Sequence, residues 1–263
     1  MPQIDPLPGV GDELMSRCDG RPLDEEVGGK AVEVFASVSL HDFDMWLDRG
    51  DEKLDRWDYE ALTPNTGRVI IHDMASGVHA IVHGRIIYGL RQQVARTAGN
   101  RAIDLTCHAS VAVHYGNDDI DPLCLEMSSI RCGNARFRPD GGLKPLASQF
   151  PTFVMWMAVS EKWTHLMQKV RSCMATTPVQ VAMGIKLSSN VKSIVLLQRT
   201  DGGRVEEVMV DMMMRLPDVN PIAFPLKKLY AGVDIPAALV GHEDDRIALD
   251  TSWLQRLVWR INP

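Results

Sequence analysis

Residues 151–187 carry three successive patterns that leave few folds open to this chain. Phe153–Val159 (FVMWMAV) is an unbroken apolar run, as expected of a strand buried on both faces. Trp163, Leu166, Met167, Val170 and Met174 then recur at helical spacing, in a segment that Ser160 can cap and that Thr177-Pro178 stops. Val179–Leu187 alternates strictly. Val179, Val181, Met183, Ile185 and Leu187 share one face, and Gln180, Ala182, Gly184 and Lys186 share the other. Buried strand, helix and strand in that order predict an α/β fold built on a mixed sheet.

The flanking sequence extends the pattern. Val32–Val38 (VEVFASV) predicts a strand, and Ser39–Arg49 a short helix with Ser39 as its cap. The stretch LDRWDYEALTPNTG leads to a strand at Arg68–His72. Val78, Val82, Ile86, Leu90 and Val94 mark a long helix that Ser76 can start and Gly99-Asn100 can end. Strands follow at Ile103–Cys107, Ser110–Tyr115, Leu123–Met127 and Asn134–Phe137, with an acidic loop at 116–122 and a turn at Cys132-Gly133. Ser193–Thr200 and Arg204–Met212 form a hairpin about Asp201-Gly202-Gly203. Asp250–Ile261 predicts a terminal helix. The long helix is expected on one face of the sheet and the 161–174 helix on the other. Residues 1–66 are expected to form an N-terminal extension packing on the core. Its first 30 residues, rich in Pro, Gly and acid, form a loosely ordered arm. Residues 67–263 are expected to form the α/β domain.

Charge and composition narrow the function classes. The chain of 263 residues is 45% apolar and 24% charged, which excludes a wholly disordered chain and a coiled-coil rod. A net charge of -6 argues against a strongly basic nucleic-acid binder and leaves a local basic patch open. The longest apolar run is too short to cross a bilayer, and MPQIDPLPGVGDE lacks the pattern of a secretory signal. The five cysteines, with no CxxC pair, are read as free thiols in a reducing compartment, so an intracellular protein (cytoplasmic or nuclear) with no membrane partner is expected. GxSxG, P-loop and GxGxxG motifs are absent. His79 and His83 lie i, i+4 on the long helix without an HExxH motif, and are read as flanking its buried stripe.

Pro139-Asp140, a loop, the strand PTFVMWMAVS, a helix opening at Ser160-Glu161 and the strand VQVAMGIKL together resemble the PD-(D/E)XK restriction-endonuclease-like superfamily. Within it the pattern is similar to the putative restriction endonuclease family and its fungal-type relatives, over about residues 68–187. The resemblance implies an α-β-β-β-α-β core and hydrolysis of nucleic-acid phosphodiesters with Mg²⁺ or Mn²⁺, a hard cation held by carboxylates. Asp140 matches the aspartate of the motif. The acidic strand position falls on Trp156, whose indole cannot ligate Mg²⁺, and the motif lysine falls on Ala158. Glu161 is then the substitute acid, giving Asp140 and Glu161 as metal ligands, and Lys169 and Lys186 are the candidate migrated lysines. Each residue also has a plain reading: Asp140 as a turn residue, Glu161 as a favourable charge in a first helical turn, Lys169 as surface charge, Lys186 as a snorkelling side chain and Trp156 as core. Two functions follow. One is a divergent metal-dependent nuclease. The other is a catalytically inactive nuclease-fold module that binds a protein partner or forms a homo-oligomer.

Overall fold

The alternation of VEVFASV becomes strand β1 (Val32–Val38), and the helix after it, α1 (Leu40–Asp48), is capped as its sequence predicts: the Asp42 amide donates to the Ser39 hydroxyl at 3.0 Å. The structure is a computed structural model that describes residues 32–48, 57–71, 77–99, 105–109, 130–132, 135–159, 161–188, 192–212, 222–249 and 253–254. These residues group into two units, within Met1–Ser76 with Ser129–Arg138 and within Gly77–Ser128 with Pro139–Pro263.

In the first unit, β1, β2 (Trp57–Ala61), β3 (Gly67–Ile71), β5 (Ile130–Cys132) and β6 (Ala135–Phe137) form a sheet in the order β1-β3-β2-β6-β5. WDYEA is itself a strand and not merely a lead-in to one. Trp57, Tyr59 and Val69 alternate into an aromatic core with Phe35, Phe43 and Leu40. Phe43 sets its ring edge-on to Trp57, with centroids 4.9 Å apart, and stacks on Tyr59 at 5.9 Å. Residues 67–71, 130–132 and 135–138, expected in the α/β domain, group instead with this unit, because β3 is hydrogen-bonded between β1 and β2 and β6 pairs with β2.

The second unit holds α2 (Gly77–Thr97), β4 (Leu105–Ala109), β7 (Gly141–Pro145), β8 (Phe153–Ala158), α3 (Trp163–Thr176) and β9 (Val181–Leu187), followed by the hairpin β10 (Lys192–Arg199) and β11 (Val205–Asp211). That is the expected α-β-β-β-α-β order. The six-stranded sheet runs β11-β10-β9-β8-β7-β4 and is mixed: β8 and β9 are parallel, and the other pairs are antiparallel. A small sheet of β12 (Ala223–Pro225) and β13 (Arg246–Ala248) adds to the unit.

Strand alternation assigns the two faces. Phe153, Met155, Met157, Val181, Met183 and Ile185 belong to one core cluster with Val82, Ile86, Leu90 and Val94 of α2. The opposite face lies under α3, since a Cβ built on Gly184 would meet Val170 at 3.1 Å and Leu166 at 3.4 Å. The same Cβ would lie 2.9 Å from Val195. Gly184→Ala is therefore expected to destabilise the chain by about 1–3 kcal/mol through overpacking, as measured by urea unfolding.

Two expectations change. Pro-Asp-Gly-Gly is a strand start, not a free turn: Gly141–Pro145 pairs with β8, and a Cβ on Gly142 would sit 2.6 Å from the Phe153 carbonyl oxygen. The glycine is there for close approach of two backbones. The second helix starts at Trp163, with Lys162 at its N-cap and no side-chain cap. Its other end is tied down by Arg199, whose guanidinium donates to the carbonyls of Met174, Thr177 and Val179. Ser76, Ser160, the arm at 1–30, the strands at 110–115 and 123–127, the loop at 116–122 and most of the 250–261 helix lie outside the described residues. No described helix is long and apolar enough to cross a membrane.

Candidate functional site

The four candidate residues all belong to the second unit: Asp140 just before β7, Glu161 in the turn into α3, Lys169 on α3 and Lys186 on β9. Asp140 immediately precedes β7 and is 3% exposed. Its amide donates to the Met155 carbonyl at 2.9 Å, and its Oδ2 accepts from the Met157 amide at 2.6 Å. The aspartate thus brackets Trp156, bonding the residues on either side of it. Pro139 has no N–H with which to extend the ladder, and the Asp140 carboxylate supplies an acceptor to β8 where the strand begins. Asp140→Ala leaves the buried Met157 amide without that acceptor. We expect a loss of about 1–3 kcal/mol in urea unfolding, most of it recovered in Asp140→Asn, which keeps an oxygen there.

Trp156 is 2% exposed. It faces Gly184 in the parallel register of β8 and β9, and Ala158 faces Lys186. The Trp156 indole and the Ala158 methyl thus lie on the face that α3 covers. The glycine beside the indole leaves room for the helix to approach.

Glu161 sits in the turn between β8 and α3, with its side chain 8% exposed. Its Oε1 lies 2.7 Å from His165 Nδ1 and 3.1 Å from Lys169 Nζ. Lys169 Nζ also donates to Oε2 at 3.1 Å. Residues 161, 165 and 169 recur every four positions and so fall on one side of the helix and the turn that feeds it. Lys186 comes to the same turn from β9. Its ammonium donates to the Val159 and Glu161 carbonyls. Burial pushes the Lys186 amine below its ordinary range, and the Glu161 carboxylate pulls it partly back. The expected snorkelling lysine is therefore a buried one, 5% exposed, that closes the strand-to-helix turn.

The fold thus brings Glu161, Lys169 and Lys186 together. Asp140 is held one strand over by the backbone of β8. His165 was not singled out by sequence reasoning. The spacing Glu-x3-His-x3-Lys was the pattern that could have found it, because i, i+4 neighbours meet on a helix.

No family model matches the chain, and no curated protein matches it. Among solved structures it is similar to a protein from Anabaena variabilis described as "a putative nuclease belonging to DUF820". The identity is 11%, the match covers 72% of this chain and 87% of that chain, and the TM-score is 0.42.

Proposed function

We propose that this chain is a divergent nuclease-fold protein that acts by binding and not by metal-dependent hydrolysis. The observation that carries the reading is Trp156. A Mg²⁺ or Mn²⁺ centre of the kind implied by the motif needs two converging carboxylates and space for a hydrated ion. The strand position that would supply the second carboxylate holds a buried indole. The remaining groups also fit a metal poorly. One oxygen of Asp140 accepts from the Met157 amide, and Glu161 faces His165 and Lys169. Both lysines have structural work, one on the Glu161 carboxylate and the other on two carbonyls.

A second reading rests on Glu161. Its carboxylate, with Lys169 and Lys186 close by, provides an acid and cations at the neighbouring turn, and with Asp140 as the second ligand this would be a displaced hydrolytic centre. One experiment separates the two. The purified chain, Asp140→Ala, Glu161→Gln and Trp156→Glu are incubated with single- and double-stranded DNA and RNA in Mg²⁺ or Mn²⁺. The binding reading expects no cleavage by the wild-type chain. Wild-type cleavage lost in Asp140→Ala and in Glu161→Gln establishes the displaced centre instead.

A further inference from the structure

The last strand of the second unit's sheet, β11, is an edge with an uncommon surface. It pairs only with β10 among the described residues. The hydrogen-bond phase says which of its backbone groups face outward. The Thr200 amide donates to the Arg204 carbonyl at 2.7 Å, and the Met212 amide donates to the Lys192 carbonyl at 2.8 Å. Positions 204 and 212 therefore bond to β10. In an antiparallel ladder every second residue does the same, so Glu206, Val208 and Val210 bond inward. The amides and carbonyls of Val205, Glu207 and Met209 point away from the sheet.

The side chains along this edge are also exposed. Val205 is 41% exposed and Met209 62%, and Glu206 and Glu207 are exposed between them. Glu207 bonds Arg171 of α3 at 2.9 and 3.0 Å in a solvent-facing pair. The pair is bidentate, so Glu207 stays with Arg171 and Glu206 is the acid the edge offers to a peptide. Val208 packs against the core and Val210 is buried, so the strand is firmly seated.

We infer that β11 is a docking edge for an extended basic peptide, which adds a strand to the sheet. Outward amides and carbonyls supply main-chain hydrogen bonds, and alternating side chains supply selection. Lysine or arginine on one face of the peptide meets Glu206, and apolar residues on its other face cover Val205 and Met209. A second copy of this chain is the poorer occupant, because it would bring the same acids to one seam. This edge lies apart from Asp140 and Glu161, and its test is independent of any cleavage result.

The probe is a fluorescein-labelled nine-residue peptide of alternating valine and lysine, titrated with the full chain and followed by anisotropy. A peptide with glutamate in place of lysine is the control. Met209→Pro removes an outward amide without removing a bond to β10, a substitution that edge strands tolerate. Glu206→Lys keeps the backbone and reverses the charge. We expect saturable binding of the basic peptide, and weakening by about tenfold or more in Met209→Pro and in the charge-reversed variant. If Met209→Pro does not fold, Met209→Lys, with its amide intact and a repelling charge, is expected to weaken binding in the same direction. Absence of binding, equal binding of the glutamate peptide, or unchanged affinity in the charge-reversed variant overturns the inference. So does concentration-dependent dimerisation of the free chain that the charge reversal abolishes, since the occupant is then a second copy.

Discussion

Trp156→Ala is expected to lower the unfolding free energy by about 3–5 kcal/mol, the range found when a large aromatic side chain is removed from a packed core. The indole is 2% exposed on the face of the sheet that the helix covers. The neighbouring positions on that face are Gly184 and Ala158, which have almost no side chain to relax into the space. The cost should therefore lie toward the upper part of the range. Urea unfolding measures it directly. If the region were an open cleft that merely happened to hold a tryptophan, truncation would relieve crowding and cost well under 1 kcal/mol, as surface substitutions do. Trp156→Phe, which keeps an aromatic ring, is expected to recover most of the loss.

Glu161→Ala is the second large effect. Its carboxylate lies against His165 and Lys169, the Lys186 ammonium bonds the carbonyl of the same residue, and its side chain is 8% exposed. Removing one partner of a buried pair leaves the other charges uncompensated, at a cost of about 3–5 kcal/mol. His165 and Lys169 retain some water contact, so the lower end of that range is expected. The change also alters the pH dependence. The Lys186 amine in the folded chain lies below its ordinary value of 10.5, with burial the larger cause and Glu161 opposing it. Between the folded and unfolded values the unfolded chain holds a proton that the folded chain has released. Stability therefore rises with pH across that window, and the penalty of burying the ammonium is complete below it. Without Glu161 the folded value falls further, so the rise should begin at a lower pH in Glu161→Ala. It should vanish in Lys186→Met. Urea midpoints from neutral to alkaline pH test both statements, and identical profiles for the three chains would contradict them.

Much of the core was legible because its signals are local. The apolar run at 153–158, the stripe of α3 and the alternation of β9 each specify an element without reference to anything distant. The hairpin turn was legible for the same reason: Gly203 adopts a φ of +78°, which favours glycine. β7 was not, because Gly-Gly after Pro-Asp has the composition of a turn and becomes a strand only by pairing with β8. β2 was missed because WDYEA sits among charged residues, and its burial comes from an aromatic core assembled with β1 and α1. The site was legible in part. Glu161, Lys169 and Lys186 do converge. Their partners could not be read, since the carbonyls of Val159 and Glu161 carry no side-chain signature. Lys186 was assigned to a polar face, yet that face is covered by α3.

The most direct test of the claim that Trp156 stands where a metal-binding acid would be is a Mn²⁺ titration followed by electron paramagnetic resonance. The wild-type chain, Asp140→Ala and Trp156→Glu are compared at equal concentration. Wild type and Asp140→Ala are expected to deplete free Mn²⁺ equally and weakly, through surface carboxylates alone, and Trp156→Glu, if it folds, is expected to gain a tighter site. One equivalent of tightly bound Mn²⁺ in the wild-type chain, lost in Asp140→Ala, would contradict it and restore the reading of a working hydrolytic centre.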